Sequence, residues 1–171
     1  MTTLAITGHR PDKLGGYEPN PLGRAVQREL RTRIEELRST KLISGMALGV
    51  DQWAAWIAVR LGVPFVAAVP FEGQELVWKD AEKRRRYHEL LANAVHVHVN
   101  NTEEPTAAQR ADKRWVRDSM FWRNRWMVQN CDVLLAVWDG SDSGTGNCVR
   151  YTEKIGRRIV RIDPRTLMEA V

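Results

Sequence analysis

The stretch KLISGMALGVDQW, residues 41–53, contains the arrangement that decides the fold. Its first four residues, 41–44, have the composition of a buried strand, and a helix is predicted over 50–61. Gly45 and Gly49 lie in the turn between them, where glycine permits a sharp turn and a close approach to a ligand. The stretch therefore predicts a strand–turn–helix unit with a binding site at the turn.

The same alternation continues along the chain. The predicted strands are 3–7, 41–44, 64–70, 95–99, 133–138 and 158–162, and the predicted helices are 21–38, 50–61, 80–93, 112–130 and 145–155. The segment 100–111 has the composition of a loop. Continuously apolar strands that alternate with helices indicate a three-layer, Rossmann-like α/β fold. We expect a mostly parallel sheet with helices on both faces, in a single domain over 1–171.

Composition and charge narrow the class of protein. Lys and Arg exceed Asp and Glu by 26 to 21, and the net charge of +5 favours anionic partners such as nucleotides or nucleic acid. The amino terminus does not have the pattern of a signal peptide, and no apolar run is long enough to span a membrane. The two cysteines imply no disulfide framework. We therefore expect a cytoplasmic protein with no membrane association.

Polar residues follow the first two predicted strands, where α/β sheets bind their ligands. In TGHRP, residues 7–11, Gly8 allows a close backbone approach, and Arg10 can pair with a phosphate or carboxylate, although an ordinary turn would have the same composition. In the second turn, Ser44, Gly45 and Gly49 precede Asp51. Asp51 either caps the helix or serves as a ribose contact or acid–base group.

A third glycine-rich turn, DGSDSGTGN, occupies residues 139–147. Gly144, Thr145 and Gly146 lie at a predicted helix start, where backbone amides and the threonine hydroxyl can hold a phosphate. The turn lacks the Gly-Lys-Ser/Thr ending of a P-loop. By itself it is a weak signal, but it is the third such turn at a strand end.

Arg123 is the residue that stands out most. With residues 115–131 placed on a helical wheel, it lies in the middle of an apolar arc that includes Met120 and Met127. A buried guanidinium requires a partner, which is either an internal acid, Asp51 or Asp139, or a bound anion. The wheel also places the three tryptophans at 115, 122 and 126 together, and we expect them to point inward.

Other candidate groups have simpler interpretations. His96 and His98 share one side of a strand, but no third ligand has a suggestive spacing, so we expect structural histidines and no metal site. Cys131 has no sequence support as a nucleophile. The run KRRR, residues 83–86, is typical of a solvated helix face, with nucleic-acid contact as the alternative.

Several motifs together resemble the SLOG superfamily, and its YpsA-like branch in particular. They are TGHRP-x-x-LGGY (7–17), SGMALGVDQWAA (44–55), PF-x-GQE-x-x-W (70–78), RNRWMVQNCD (123–132) and GTGNCVRY (144–151). The resemblance implies a Rossmann-like fold that binds nucleotides or nucleotide-derived ligands, and homo-oligomerisation. The superfamily includes the DprA single-stranded DNA-binding proteins and the LOG phosphoribohydrolases, which cleave the N-glycosidic bond of nucleotides.

The resemblance to LOG enzymes is partial. MFWRN, residues 120–124, resembles the segment that carries their catalytic arginine, which implies that role for Arg123. LOG enzymes also have a glutamate three residues after the threonine of their glycine-rich turn, but this chain has Cys148 there. Asp51 or Glu153 would have to replace that glutamate.

Three functions follow from these observations. The first is binding of a nucleotide or a nucleotide-derived ligand, ADP-ribose-like or a nucleoside phosphate. The glycine turns would hold phosphate and Asp51 a ribose, while His9 or Asn124 would bond the base or sugar. Trp53 or Trp78 would stack on the base, although core packing is the simpler role for Trp53. The second is N-glycosidic hydrolysis, with Arg123 and Asp51 catalytic. The third is DprA-like binding of single-stranded nucleic acid.

Overall fold

A computed structural model describes residues 1–168 of the chain. Strands and helices alternate in the order β1 (Thr2–Gly8), α1 (Pro21–Glu36), β2 (Ser39–Ser44), α2 (Val50–Leu61), β3 (Phe65–Phe71), α3 (Ala81–Asn93), β4 (His96–Asn101), α4 (Ala107–Ala111), α5 (Lys113–Gln129), β5 (Val133–Val137), α6 (Gly144–Lys154), β6 (Arg158–Ile162) and α7 (Pro164–Met168). Two short 3-10 helices, Pro11–Lys13 and Gln74–Val77, follow β1 and β3.

The six strands of the described range form one parallel sheet in the order β4-β3-β2-β1-β5-β6. The chain builds the sheet outward from β1 to β4 and then returns to the other side of β1 with β5. Where the direction of building reverses, the connections after the two neighbouring strands diverge and leave a crevice at their carboxyl ends. The predicted α/β, Rossmann-like architecture is confirmed.

Helices cover both faces of the sheet because alternate strand residues point to opposite faces. Leu4 and Ile6 of β1 pack in a core cluster with α1, α2 and α3, whereas Ala5 belongs to a second cluster with α5 and α6. Within residues 1–168, no helix has both the length and the hydropathy required to cross a membrane.

Two parts of the sequence-based prediction are wrong. The segment 100–111 is not a continuous loop, because β4 extends to Asn101 and α4 begins after Thr106. The Thr106 and Gln109 side chains form a reciprocal capping box that starts α4. Trp122 does not point inward but is exposed. Trp115 and Trp126 are half-buried, against Phe71 and His98 respectively.

Candidate functional site

A cavity of about 350 Å³ lies where the sheet order reverses, beyond the carboxyl ends of β1 and β5. Four separate segments line it: the turn after β1, the turn between β2 and α2, the middle of α5 and the start of α6. We call it the switch-point cavity, lined by Thr7, Gly8, His9, Arg10, Asp12, Lys13, Ala47, Asp51, Met120, Arg123, Asn124, Ser143, Gly144 and Thr145.

Most of the residues predicted to bind a ligand meet in this cavity. Eight of the twelve line it: Gly8, His9, Arg10, Asp51, Arg123, Asn124, Gly144 and Thr145. The other four, Ser44, Gly45, Gly49 and Gly146, do not line it. Sequence reasoning missed Lys13, although its position three residues after Arg10 in the same turn was a usable signal.

Arg123 is buried, with 4% of its surface exposed, as its place on the wheel predicted. Its Nη1 donates to the carbonyl oxygens of Gly45 and Ala68, the latter at 3.2 Å, and its Nε donates to Asn124 Oδ1 at 2.9 Å. Among residues 1–168, the hydrogen-bond partner of Nη2 is the Met120 sulfur, at 3.6 Å. No carboxylate in the described residues lies within 4.0 Å of the guanidinium, so neither Asp51 nor Asp139 forms the ion pair that was one of the two alternatives.

Asp51 is the buried one of the two acids that line the cavity, Asp12 being exposed, and its backbone is held by Ser44. The Ser44 hydroxyl donates to the Asp51 carbonyl oxygen at 2.8 Å, and Asp51 Oδ2 accepts from the Ala47 amide at 3.3 Å. Burial raises the pKa of Asp51 to about 6, although the charges of Arg123 and Arg10 and the Ala47 hydrogen bond oppose this rise. The carboxyl can therefore exchange a proton near neutral pH.

The Asp51→Asn variant is expected to be more stable than the wild type at pH 7.5 by about 2–3 kcal/mol, since one pKa unit corresponds to about 1.4 kcal/mol. The pKa of Asp51 rises from 3.8 to about 6 on folding, so the folded state binds the extra proton. The stabilisation of the folded wild type by this proton is complete below about pH 4 and is lost as pH rises through about 6. Urea unfolding of both proteins between pH 4 and 7.5 measures this. A difference in unfolding free energy that does not change with pH would contradict it.

Three of the predicted glycines are required by close packing between segments. A Cβ at Gly45 would lie 2.3 Å from Arg123 Nη1 and 2.7 Å from Asp51 Oδ2. A Cβ at Gly8 would lie 2.6 Å from Val50 Cγ1, and Gly49, with φ of 96°, packs on Pro11. Gly45 and Gly49 are thus packing positions that do not line the cavity, and the binding of phosphate by their amides stays a prediction.

The start of α6 presents free amides to the cavity. Ser143 caps the helix by accepting from the Gly146 amide at 3.1 Å, so that amide already has a partner. Gly146 also packs closely against Trp138, behind the cavity wall. The amides of Gly144 and Thr145 have no partner among the described residues, and both residues line the cavity. They are the helix-terminal donors available to an anion.

His9 is held by Asp139, which reduces its freedom as a ligand contact. The buried His9 ring places Nε2 2.8 Å from Asp139 Oδ1. Hydrogen bonds from Ser141, followed by that from His9, keep the pKa of Asp139 well below its usual range. The pair joins the turn after β1 to the turn after β5, and thus holds the two walls of the cavity together.

The remaining candidates lie outside the cavity. His98 stacks on Trp126 with ring centroids 3.7 Å apart, and His96 is exposed. Burial raises the pKa of Cys131 to about 11, as for a core thiol. Arg85 and Arg86 pair with Glu82 on the exposed face of α3. Glu153, proposed to replace the missing LOG glutamate, is exposed on α6 and does not line the cavity.

Comparison with known proteins agrees with this architecture. The model of the YspA SLOG family matches residues 4–159. The chain is 30% identical over 157 residues to the SPbeta prophage-derived protein YoqJ of Bacillus subtilis (strain 168), covering 85% of this chain and 91% of that protein. It is 27% identical over 164 residues to a UPF0398 protein of Bacillus cereus (strain G9842), covering 90% of this chain and 83% of that protein.

Solved structures with the same fold include two DNA processing proteins A (DprA). The Streptococcus pneumoniae protein superimposes with a TM-score of 0.63 and 17% identity over 99% of this chain and 56% of its own. The Helicobacter pylori protein, described with a single-stranded DNA binding mode, superimposes with a TM-score of 0.63 and 19% identity. The match covers 95% of this chain and 65% of that chain. At this identity the likeness concerns the fold, and this chain spans 56% of the first DprA chain and 65% of the second. From the family match and the relatives, the chain belongs to the YspA SLOG family.

Proposed function

We propose that this protein binds a nucleotide or nucleotide-derived ligand, an ADP-ribose-like molecule or a nucleoside phosphate, with its phosphate in the switch-point cavity. SLOG membership supports nucleotide or nucleic-acid binding in general. The proposal that a phosphate occupies the switch-point cavity rests on the geometry at Arg123.

The observation that carries the proposal is a buried guanidinium at a cavity without a carboxylate partner. The Nε and Nη1 atoms of Arg123 bind neutral oxygens, and these contacts do not compensate its charge. Its nearest acid, Asp51, has a pKa of about 6 and can lose its own charge by taking up a proton. A phosphate at the cavity would supply the missing negative charge and an acceptor for Nη2.

Two further cations and the start of α6 complete an anion site. Arg10 is exposed at the cavity and makes no ion pair with any residue in the described range. Lys13 Nζ donates to Ser141 Oγ at 2.9 Å, a neutral partner. Together with Arg123 and the amides of Gly144 and Thr145, these groups line the same cavity. The arrangement suits a phosphate with several free oxygens.

The proposal is tested by calorimetric titration with AMP, ribose 5-phosphate, ADP-ribose and adenosine. We expect the phosphate-bearing compounds to bind at least about 10-fold more tightly than adenosine, because charge-assisted hydrogen bonds contribute about 1.5–3 kcal/mol each. The Arg10→Gln/Lys13→Gln variant, altered only at the cavity entrance, should lose most of this preference. Equal affinity for AMP and adenosine would overturn the proposal.

Asp51 specifically favours a second candidate function, hydrolysis of a nucleotide N-glycosidic bond. A general acid is most effective when its pKa lies near the working pH, and Asp51 shares the cavity with Arg123. Chromatography of AMP incubated with the protein would then show free adenine, and Asp51→Asn would abolish its release while AMP still binds. Intact AMP after long incubation restricts the function to binding.

The exposed arginines of α3 do not support the third candidate, DprA-like binding of single strands. Arg85 and Arg86 are engaged with Glu82, and Arg84 donates to the Trp78 carbonyl oxygen. These contacts leave less free positive charge than the sequence run indicates. An oligonucleotide that displaces AMP with a steep salt dependence would favour this candidate instead.

A further inference from the structure

A second cavity, of about 210 Å³, adjoins the switch-point cavity. Arg10, Ala47 and Met120 line both spaces and form the boundary between them. The first space is rich in charged groups, whereas the second is walled by the aromatic and aliphatic side chains of Tyr17, Phe71, Leu76, Val77, Trp78 and Val116. We call the second space the aromatic cavity.

The mouth of the aromatic cavity carries an unusual share of the exposed apolar surface. Leu76 is 61% exposed and Val77 70% exposed, and Tyr17 is also exposed. The described residues contain eight large hydrophobic side chains of this kind, and these three all line the one cavity. Apolar side chains that gather in water at the rim of a cavity mark a place where a ligand covers them.

Gln74 supplies an independent polar feature on the cavity wall. It is 4% exposed, and its Nε2 donates to the Tyr87 hydroxyl oxygen at 3.2 Å. Its Oε1 accepts no hydrogen bond from any described residue, and it is not sealed off from solvent. A carboxamide oxygen held in this way can accept from an N–H group on the edge of a planar ring.

We infer that the aromatic cavity is a nucleobase subsite, which takes the planar base of the same ligand whose phosphate occupies the switch-point cavity. This inference rests on the proposed function. The base lies among Tyr17, Phe71 and Trp78 with an N–H edge at Gln74, and the sugar crosses the boundary at Met120. Arg10, which lines both spaces, contacts the ligand at the crossing.

Calorimetry with AMP and ribose 5-phosphate tests the inference, because these probes differ only in the base. AMP is expected to bind about 10-fold or more tightly, in line with base–aromatic stacking elsewhere. Tyr17→Ala/Leu76→Ala removes two exposed rim side chains without opening the core, and should bring the AMP affinity close to that of ribose 5-phosphate. Ile155→Ala, at an exposed apolar residue that lines neither cavity, is the control and should change neither affinity.

The outcomes separate this inference from the proposed function. If neither probe binds, the proposed function fails and the subsite with it. If both bind equally and the rim variant changes nothing, the phosphate site stands and the base subsite is overturned. If AMP binds more tightly but the rim variant leaves that advantage intact, the base binds elsewhere and the inference is again overturned.

Discussion

Gly45→Ala is expected to destabilise the protein by about 3 kcal/mol, at the upper end for overpacking a filled site. The new methyl carbon would lie 2.3 Å from Arg123 Nη1, 2.6 Å from Arg123 Cζ and 2.7 Å from Asp51 Oδ2. The guanidinium cannot easily move away from the new methyl group, because its Nη1 donates hydrogen bonds to two backbone carbonyl oxygens. Urea denaturation measures the loss, and calorimetry should show weakened AMP binding.

Gly144→Ala is the matched control for this substitution. A Cβ at Gly144 meets no atom within 4 Å, and its φ is not positive, so we expect a change in unfolding free energy within about 0.5 kcal/mol. Gly45 lies in the turn that leads from β2 into α2, and Gly144 is the first residue of α6, after the turn that follows β5. A Gly45→Ala protein as stable as the wild type would show that Arg123 is not packed against this turn.

Arg123→Gln is expected to reduce AMP affinity about 10- to 100-fold, the loss that corresponds to one charge-assisted contact of about 1.5–3 kcal/mol. The buried charge that attracts phosphate disappears, and the glutamine side chain is two bonds too short to replace Nη1 at the carbonyl oxygens of Gly45 and Ala68. The loss of these hydrogen bonds costs about 1–3 kcal/mol of stability. Calorimetry on protein shown to be folded by circular dichroism separates the two effects.

Two other variants sharpen the interpretation of Arg123. Arg150→Gln removes an exposed arginine that pairs with Asp142 outside the cavity, and should leave AMP binding unchanged. Arg123→Lys retains the charge but not the planar set of donors, so an intermediate affinity is expected. If folded Arg123→Gln binds AMP as tightly as the wild type, Arg123 does not hold the phosphate.

The burial of Arg123 illustrates how far helical periodicity can be trusted. The wheel places Arg123 in the middle of one apolar arc, with the tryptophans on one side of it and Met120 and Met127 on the other. Periodicity sets the angles between these side chains but does not determine which part of the arc faces the sheet. Arg123 and Met127 are buried and Met120 is half-buried, whereas Trp122 at the edge of the arc remains in water. The prediction for Arg123 was therefore right and that for Trp122 wrong.

The segment 100–111 was misread because composition outweighed a local signal. Thr106 followed three residues later by Gln109 is the pattern of a capping box, and it does start α4. The many polar residues around it indicated a loop instead. A helix as short as α4, five residues, also has too little periodicity to be recognised.

The six strands and the five longer helices, in their order, could be derived from the chain alone, because these elements are set by local periodicity and by the glycines that end them. The site needed more, because its residues come from turns more than a hundred positions apart, and they meet only when β5 pairs with β1 on the side opposite β2. That strand order depends on pairing between strands that are far apart in the sequence, which local patterns do not specify. It also packs Gly45 and Gly49 closely against neighbouring segments, and places Arg123 at the cavity with Asp51 nearby but with no carboxylate of residues 1–168 within 4.0 Å of its guanidinium.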